Sequence, residues 1–386
     1  MQKSFDVVIV GAGPSGSASA IALARRGYDV ALVDKQPFPR EKLCGDFINP
    51  INWPIFRDLG VEERVLAQPH TEVTGFRFTS CSGDEAEAPF PSTNEQQDFG
   101  LGMRREQLDQ VLLERARQLG VTVRLGCRIE NLSRSAQGWR LQAGGGDESW
   151  QARILIGADG RNSWVVQQLG MNARATMQGR CVGFQVRLES PGMAAGKVEI
   201  HLFPGGYAGL IGLGDGTINL CLSIDKQMVP RERLADFLLT QYLPQNPYLK
   251  NLLHRSTSAR EFRSAYPVYF PKRRCITDAA LLVGDAARVN EPVTGDGIYF
   301  AMRSGLLASR TIDEALRRGD RSAQSLRSYQ QRCDHVFRPR RTLNSLIRFA
   351  IYRPALISPL IRMFAKHGRM LGSLVDTVCA PQAIGR

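Results

Sequence analysis

Residues 5–34 read Phe-Asp-Val-Val-Ile-Val-Gly-Ala-Gly-Pro-Ser-Gly-Ser-Ala-Ser-Ala-Ile-Ala-Leu-Ala-Arg-Arg-Gly-Tyr-Asp-Val-Ala-Leu-Val-Asp, and they decide the fold. The apolar run 5–10 ends in glycine and reads as a buried parallel strand. Residues 17–26 are alanine-rich and stop at Gly27, which predicts a helix closed by a glycine C-cap. Residues 28–33 form a second apolar run that delivers Asp34 at its end. A strand, helix and strand within about 30 residues is the size of a dinucleotide-binding unit.

The turn between the first strand and the helix carries Gly11, Gly13, Pro14, Ser15 and Gly16. Gly11 permits a tight turn, Gly13 lets backbone approach a diphosphate, and Gly16 lets helix and strand pack closely. Free N–H groups and the helix dipole then favour an anion at that end. Asp34, followed by Lys35, is placed to accept ribose hydroxyls. A GxGxxG run alone is weak, and a structural glycine turn is its alternative. Here it follows a strand, opens a helix and is answered by an acid.

Two further blocks repeat the pattern of an apolar strand running into glycine and a carboxylate. Residues 150–158 end in Gly157-Ala158-Asp159-Gly160, and residues 281–284 lead into Gly284-Asp285. The second is followed by Pro292, Gly295, Asp296 and Gly297, then by a helix expected over 298–316. Gly284-Asp285 can set a carboxylate on a ribityl chain. The 295–297 turn can aim N–H groups and a helix start at the pyrimidine edge of a flavin, where negative charge appears on reduction. Three such blocks in this order point to FAD.

Between the blocks, residues 105–119 form an amphipathic helix with Leu108, Leu112, Arg115 and Leu119 at helical spacing. Residues 121–125 and 139–143 read as strands, and residues 36–54 as a long irregular stretch. From 180 to 224 the pattern turns β-rich with glycine turns. The fold class is α/β: a discontinuous Rossmann-like domain over 1–75, 100–175 and 276–330. A substrate-binding sheet domain over 76–99 and 176–275 is inserted in it, and a helical segment over 331–386 follows.

With these motifs the chain resembles the p-hydroxybenzoate hydroxylase superfamily of FAD enzymes, which includes geranylgeranyl reductases and flavin-dependent halogenases. The resemblance covers roughly residues 5–330. It implies an FAD-binding domain of the GR2 type, with Gly11, Gly13, Gly16 and Asp34 on the ADP half. It also implies that Arg105 contacts FAD, that Asp159 lies near the diphosphate, and that Asp285 binds the ribityl and diphosphate region. Residues 44–47 would pass close to the flavin ring.

The stretch Lys42-Leu43-Cys44-Gly45-Asp46 is similar to the Lys-x-Cys-Gly-Gly signature of geranylgeranyl reductases, with Asp46 in place of a glycine. Cys44, Gly45 and Asp46 are therefore the candidate catalytic residues. Cys44 would shape the pocket or merely pack, and Asp46 would orient a substrate hydroxyl or cap a turn. In that branch a Gly-Tyr pair precedes Trp, Phe and Pro. Here Gly206-Tyr207 is followed by Ala208-Gly209-Leu210-Ile211-Gly212, which leaves a roomier pocket. The Trp-x-Trp-x-Ile-Pro run of the halogenases is absent.

Hydroxylation of a lipophilic or aromatic, polyketide- or isoprenoid-like, small molecule through a flavin C4a-hydroperoxide needs few side chains, and the sequence places it first. It would use NAD(P)H as donor and O2. Saturation of isoprenoid C=C bonds is the alternative, and halogenation a third. Escort proteins of this fold that bind prenylated partners are a different class, but the intact glycine and Gly-Asp blocks speak for an enzyme.

Eight cysteines show no CxxC spacing and only five histidines exist, so no metal site is expected. Residues 1–5 run straight into a strand without a signal-peptide pattern, so the expectation is cytoplasmic with free thiols. The net charge of +13 favours anionic partners. No aromatic-and-basic block accompanies it, so nucleic acid is not expected. From His335 to Val375 there is no acid but there are eight Arg or Lys residues, interleaved with apolar ones. This segment reads as a helical pair packed on the flavin domain, or as a peripheral contact with an anionic membrane surface. Oligomeric state is open.

Overall fold

The strand Gln2–Val10 is central in an eight-stranded sheet and has parallel neighbours on both sides, Ser149–Gly157 and Val30–Val33. Ala280–Leu282 extends the sheet on one side and Thr122–Arg124 on the other, both parallel. The strands Ile129–Ser135 and Gly138–Ala143 form a hairpin paired with Ser149–Gly157. Val7, Val8 and Ile9 are all buried, which is why the run is continuously apolar rather than alternating. This is a computed structural model, and it describes residues 2–92, 97–145, 148–171, 181–189, 196–230, 234–256, 262–270, 273–289 and 292–379. Arg180, Glu291 and the expected domain boundary at 175–176 lie outside the described residues.

The helix Pro14–Ala24 opens at the glycine turn and packs against the helix Gly297–Arg318. A Cβ on Gly305 would lie 2.5 Å from the Ser15 carbonyl oxygen, so this crossing admits no side chain there. The Ser309 hydroxyl donates to the Ser19 carbonyl at 3.2 Å along the same seam. The two glycine blocks, nearly 300 residues apart in the chain, are thereby held side by side.

A second, seven-stranded sheet runs in the order Arg263–Ala265, Cys181–Glu189, Thr217–Asp225, Gly206–Gly212, Lys197–Phe203, Gly75–Thr79 and Glu85–Pro89. All its pairs are antiparallel except Lys197–Phe203 with Gly75–Thr79. Side chains alternate between its faces with period two. Leu210, Leu222 and Phe184 pack with Leu238, Tyr242 and Leu249 from the helical stretch 234–255. Tyr207, Ile211, Val198 and Ile200 belong to the opposite cluster, with Ile351, Ile361, Leu371 and Val375. A small sheet of Phe47–Ile48, Gly100–Gly102 and Thr71–Val73 lies between the two large ones in the chain's path.

Three helices complete the chain: Ala323–Ile351, Pro354–Lys366 and Gly368–Cys379. The first runs unbroken across residue 331, where the sequence suggested a segment border, and it contains Pro339. The Ser322 hydroxyl caps it by accepting from Ser325 N. The irregular stretch expected over 36–54 gives way earlier than its end: Phe47–Ile48 is a strand and a helix starts at Trp53.

One buried ionic knot ties these helices to the cofactor domain. Arg340 lies 3.6 Å from Asp296 and donates to the Val378 carbonyl at 2.6 Å. Asn49 Nδ2 reaches Asp296 Oδ1 at 3.3 Å. Both charges are nearly inaccessible. Burial lifts the Asp296 carboxyl to about 7, against the pull of Arg340.

Removing one partner of such a pair leaves the other charge buried and unpaired. Arg340→Ala is expected to lower stability in urea unfolding, and by more above pH 7 than below it, where Asp296 is protonated. Folded Asp296 holds a proton that the unfolded chain releases near its ordinary pKa of about 3.9. Its contribution to stability therefore falls as pH rises from about 4 to about 7, and Asp296→Asn is expected to remove that slope.

Candidate active site

The glycine turn is built from backbone constraints. Gly11 has φ +109, and a Cβ there would sit 2.3 Å from the Ala158 carbonyl oxygen. A Cβ on Gly16 would fall 1.9 Å from the Gly11 carbonyl oxygen. Both positions are closed to any side chain. Asp34 holds the turn from across the sheet, accepting from Ala12 N at 2.8 Å and from Gln36 N at 2.9 Å.

Gly13 is different. A Cβ there would meet no wall, only the guanidinium groups of Arg40 at 3.5 Å and Arg105 at 3.9 Å. Two cations therefore stand over the N-terminus of the helix Pro14–Ala24, carried on flexible side chains rather than on backbone. Arg40 lies 3.6 Å from Asp34 and 3.7 Å from Asp109, yet its buried Nε has no hydrogen-bond partner. Arg105 Nε donates to Asp109 at 2.7 Å. Lys42 Nζ lies 3.7 Å from Asp285. This donor set fits a diphosphate: several cations, a helix start and a buried N–H without a partner.

A cavity of about 740 Å³ runs from this cradle toward the second sheet. Of the site residues expected from sequence, Gly11, Gly13, Pro14, Ser15, Asp34, Lys35 and Arg105 line its first part. Asp159, Asp285, Pro292, Gly295 and Gly297 line it too, with Cys44 and Gly45. The helix Gly297–Arg318 starts at this wall, so its dipole favours negative charge in the cavity.

Four expected site residues do not line it. Gly16 and Gly284 lie behind the wall as packing positions; a Cβ on Gly284 would be 2.6 Å from Ser15 Oγ. The Asp296 carboxyl points instead to Arg340 and Asn49, as described above, and away from the cavity. Asp46 is also corrected. With φ +53 its side chain turns into the protein, where Oδ1 accepts from Arg105 N at 3.1 Å and Oδ2 lies 3.5 Å from Arg187. Burial lifts its carboxyl to about 6, against Arg187 and the hydrogen bond from Arg105 N.

The cavity continues past Cys44. The Cys44 carbonyl accepts from Asn219 Nδ2 at 2.9 Å and from Cys221 Sγ at 2.9 Å, which pins the loop to the strand Thr217–Asp225. The Cys44 thiol lies 4.0 Å from Arg105 Nη1. Burial pushes the thiol above its ordinary value, the Asp46 carboxylate adds to this, and Arg105 opposes it. The far chamber is walled by Phe76, Val198, Ile200, Tyr207, Ile211 and Val268. Its polar side chains are few; Ser223 is one, and its hydroxyl pairs with the Tyr352 hydroxyl at 2.7 Å. Gly183 and Gly209 also line the cavity. A Cβ on Gly209 would meet only an Ile200 methyl at 3.7 Å.

Residues 4–339 match the family described as FAD binding domain. The chain belongs to this family. It is an FAD-dependent oxidoreductase of the p-hydroxybenzoate hydroxylase superfamily. Conditioned medium factor receptor 1 of Dictyostelium discoideum is 27% identical over 384 residues, covering 95% of this chain and 75% of that protein. Digeranylgeranylglycerophospholipid reductase of Methanosphaerula palustris is 27% identical over 351 residues, covering 86% and 82%. Among solved structures, CmlS, a flavin-dependent halogenase, shares the fold with a TM-score of 0.77 at 22% identity. That match covers 89% of this chain and 63% of the halogenase.

Arg40 and Lys42 are the site residues that sequence reasoning missed as cations. Both stand in the stretch before Cys44 that was read for its signature alone, and only the folding-back of this loop brings them over Gly13 and Asp285. Arg40→Ala is expected to weaken FAD binding by about tenfold or more, the loss of one charge-assisted contact. Titration of the apoprotein by flavin-fluorescence quenching measures it.

Proposed function

We propose that this flavoenzyme reduces C=C bonds of a lipophilic, isoprenoid-like substrate, with NAD(P)H as the source of electrons. The observation that carries this reading is the Cys44 thiol. It lies in the cavity wall, between the cationic cradle and the apolar chamber, and burial keeps it protonated at neutral pH. Gly11, Gly13, Pro14, Ser15 and Asp34 would hold the ADP half of FAD, and Arg40, Lys42 and Arg105 its diphosphate. Asp159 and Asp285 would stand beside the diphosphate and ribityl chain, and the turn Gly295–Gly297 would face the flavin end. Reduced FAD, when bound, supplies a hydride.

The protein's part is the other hydrogen and the dry chamber. The Cys44 thiol holds a proton that can pass to the second carbon of the double bond, and solvent restores it. Arg105 stabilises the thiolate left behind. The apolar wall excludes water and takes the chain of the substrate. The relation to a reductase acting on digeranylgeranylglycerophospholipid supports this order of preference. The thiol thus reverses the ranking that sequence alone favoured.

Hydroxylation of the same class of substrate, with O2 as co-substrate, is the second reading. The observation favouring it is the open wall at Gly209, in the stretch after Gly206-Tyr207 where the prenyl-reducing branch is expected to carry Trp, Phe and Pro.

General acids of this kind contribute about 10²–10⁴-fold. Cys44→Ala is expected to slow anaerobic reoxidation of the reduced flavin by an isoprenoid at least about 100-fold while leaving FAD affinity unchanged. The wild-type rate should be flat through neutral pH and fall only in the alkaline range, as the thiol ionises. Gly209→Trp is expected to fill the chamber, raising KM for long substrates without altering FAD binding. An unchanged reoxidation rate in Cys44→Ala would remove the thiol from the chemistry.

A further inference from the structure

We infer that the three C-terminal helices form a docking face for an anionic lipid bilayer, set against the wall of the substrate chamber. Six large apolar side chains are exposed among the described residues, and four of them belong to this segment: Leu346, Phe349, Leu356 and Met370. Leu346 and Phe349 lie three residues apart on the last turns of Ala323–Ile351, and so on neighbouring positions of one face. Leu356 follows directly beyond the bend that joins it to Pro354–Lys366.

The surroundings of these side chains are predominantly cationic, although Asp376 is exposed in the last helix and Asp84 pairs with Arg362 at 3.1 Å. Between His335 and Val375 the sequence has no acid. Arg338, Arg353, Lys366 and Arg369 are exposed, and the Arg353 guanidinium lies 3.6 Å from the centre of the Phe349 ring. A centre of Leu, Phe and Met rimmed by cations matches the layering of an anionic bilayer, acyl chains behind phosphate headgroups. No helix among the described residues is long and apolar enough to cross a membrane, so the contact is with the surface. A second copy of the chain is a poorer occupant, because apposing this face with itself sets cations against cations.

The inner side of the same helices packs behind the chamber wall. Ile351, Ile361, Leu371 and Val375 pack in the cluster that contains the chamber residues Phe76, Ile200, Tyr207 and Ile211. Tyr352, at the bend between the exposed Phe349 and Leu356, holds the chamber residue Ser223 by its hydroxyl. The bend thus joins the docking face to the chamber wall, which suits a substrate drawn from a bilayer. That purpose rests on the lipophilic-substrate reading; the docking itself does not.

The test is sedimentation of the FAD-loaded full chain with vesicles of phosphatidylcholine alone or with about one third phosphatidylglycerol. Binding is expected to the anionic vesicles at low salt and to be lost at about 0.5 M salt, where screening is short-ranged. Leu346→Ser with Phe349→Ser is expected to weaken it about tenfold or more. Arg353→Gln, Lys366→Gln and Arg369→Gln should each weaken it by up to about fivefold. Flavin absorption and melting temperature should stay unchanged, since all five side chains are exposed. Absence of binding to anionic vesicles at low salt overturns the inference. So does equal binding of the wild type and the variants. Self-association that vanishes in the Leu346→Ser, Phe349→Ser variant, with no lipid binding, would assign the face to a second copy instead. Vesicle binding without turnover of any lipophilic substrate upholds the docking face and counts against the proposed function alone.

Discussion

The cations over Gly13 are the interaction on which the rest of this molecule depends. Arg40 and Arg105 face the N-terminus of the helix Pro14–Ala24, where the backbone itself is positive. Asp34 and Asp109 stand beside them, and the buried Nε of Arg40 has no hydrogen-bond partner. Like charges so close are held together at a cost that an anionic diphosphate relieves. The same loop that brings Arg40 and Lys42 to the cradle continues into Cys44, so cofactor binding and the position of the thiol are set by one stretch of backbone.

That stretch is pinned from the second sheet. Asn219 and Cys221 hold the Cys44 carbonyl, while Asp46 joins the first turn of Arg105–Gln118 to Arg187. In the reductase signature the position of Asp46 is a glycine, and its φ of +53 is a conformation glycine adopts freely. Here the side chain offsets the strained backbone by closing contacts between two sheets. The Cys44 loop is therefore less free than a glycine pair would leave it.

Much of this was legible in the sequence because the decisive parts are local. The strand, glycine turn, helix and acid of residues 5–34 are fixed by periodicity and backbone sterics within one short segment. The return of the Gly284-Asp285 block to the first was readable from its repeated pattern. Side-chain direction was not. Asp46 and Asp296 stand beside glycines in the motifs, which suggested ligand contacts, but tertiary partners, Arg187 and Arg340, turn both carboxylates inward. Arg40 and Lys42 were hidden for the converse reason, since only the fold carries them to Gly13 and Asp285. The openness at Gly209 likewise depends on which strand faces it.

The central claim is that this site adds hydrogen to a carbon–carbon double bond. The most direct measurement is the mass of the product formed from an isoprenoid by the FAD-loaded protein with NAD(P)H, run in parallel with and without O2. The account predicts a product heavier by two hydrogens, formed equally well without O2. A product heavier by one oxygen atom, formed only when O2 is present, would contradict it.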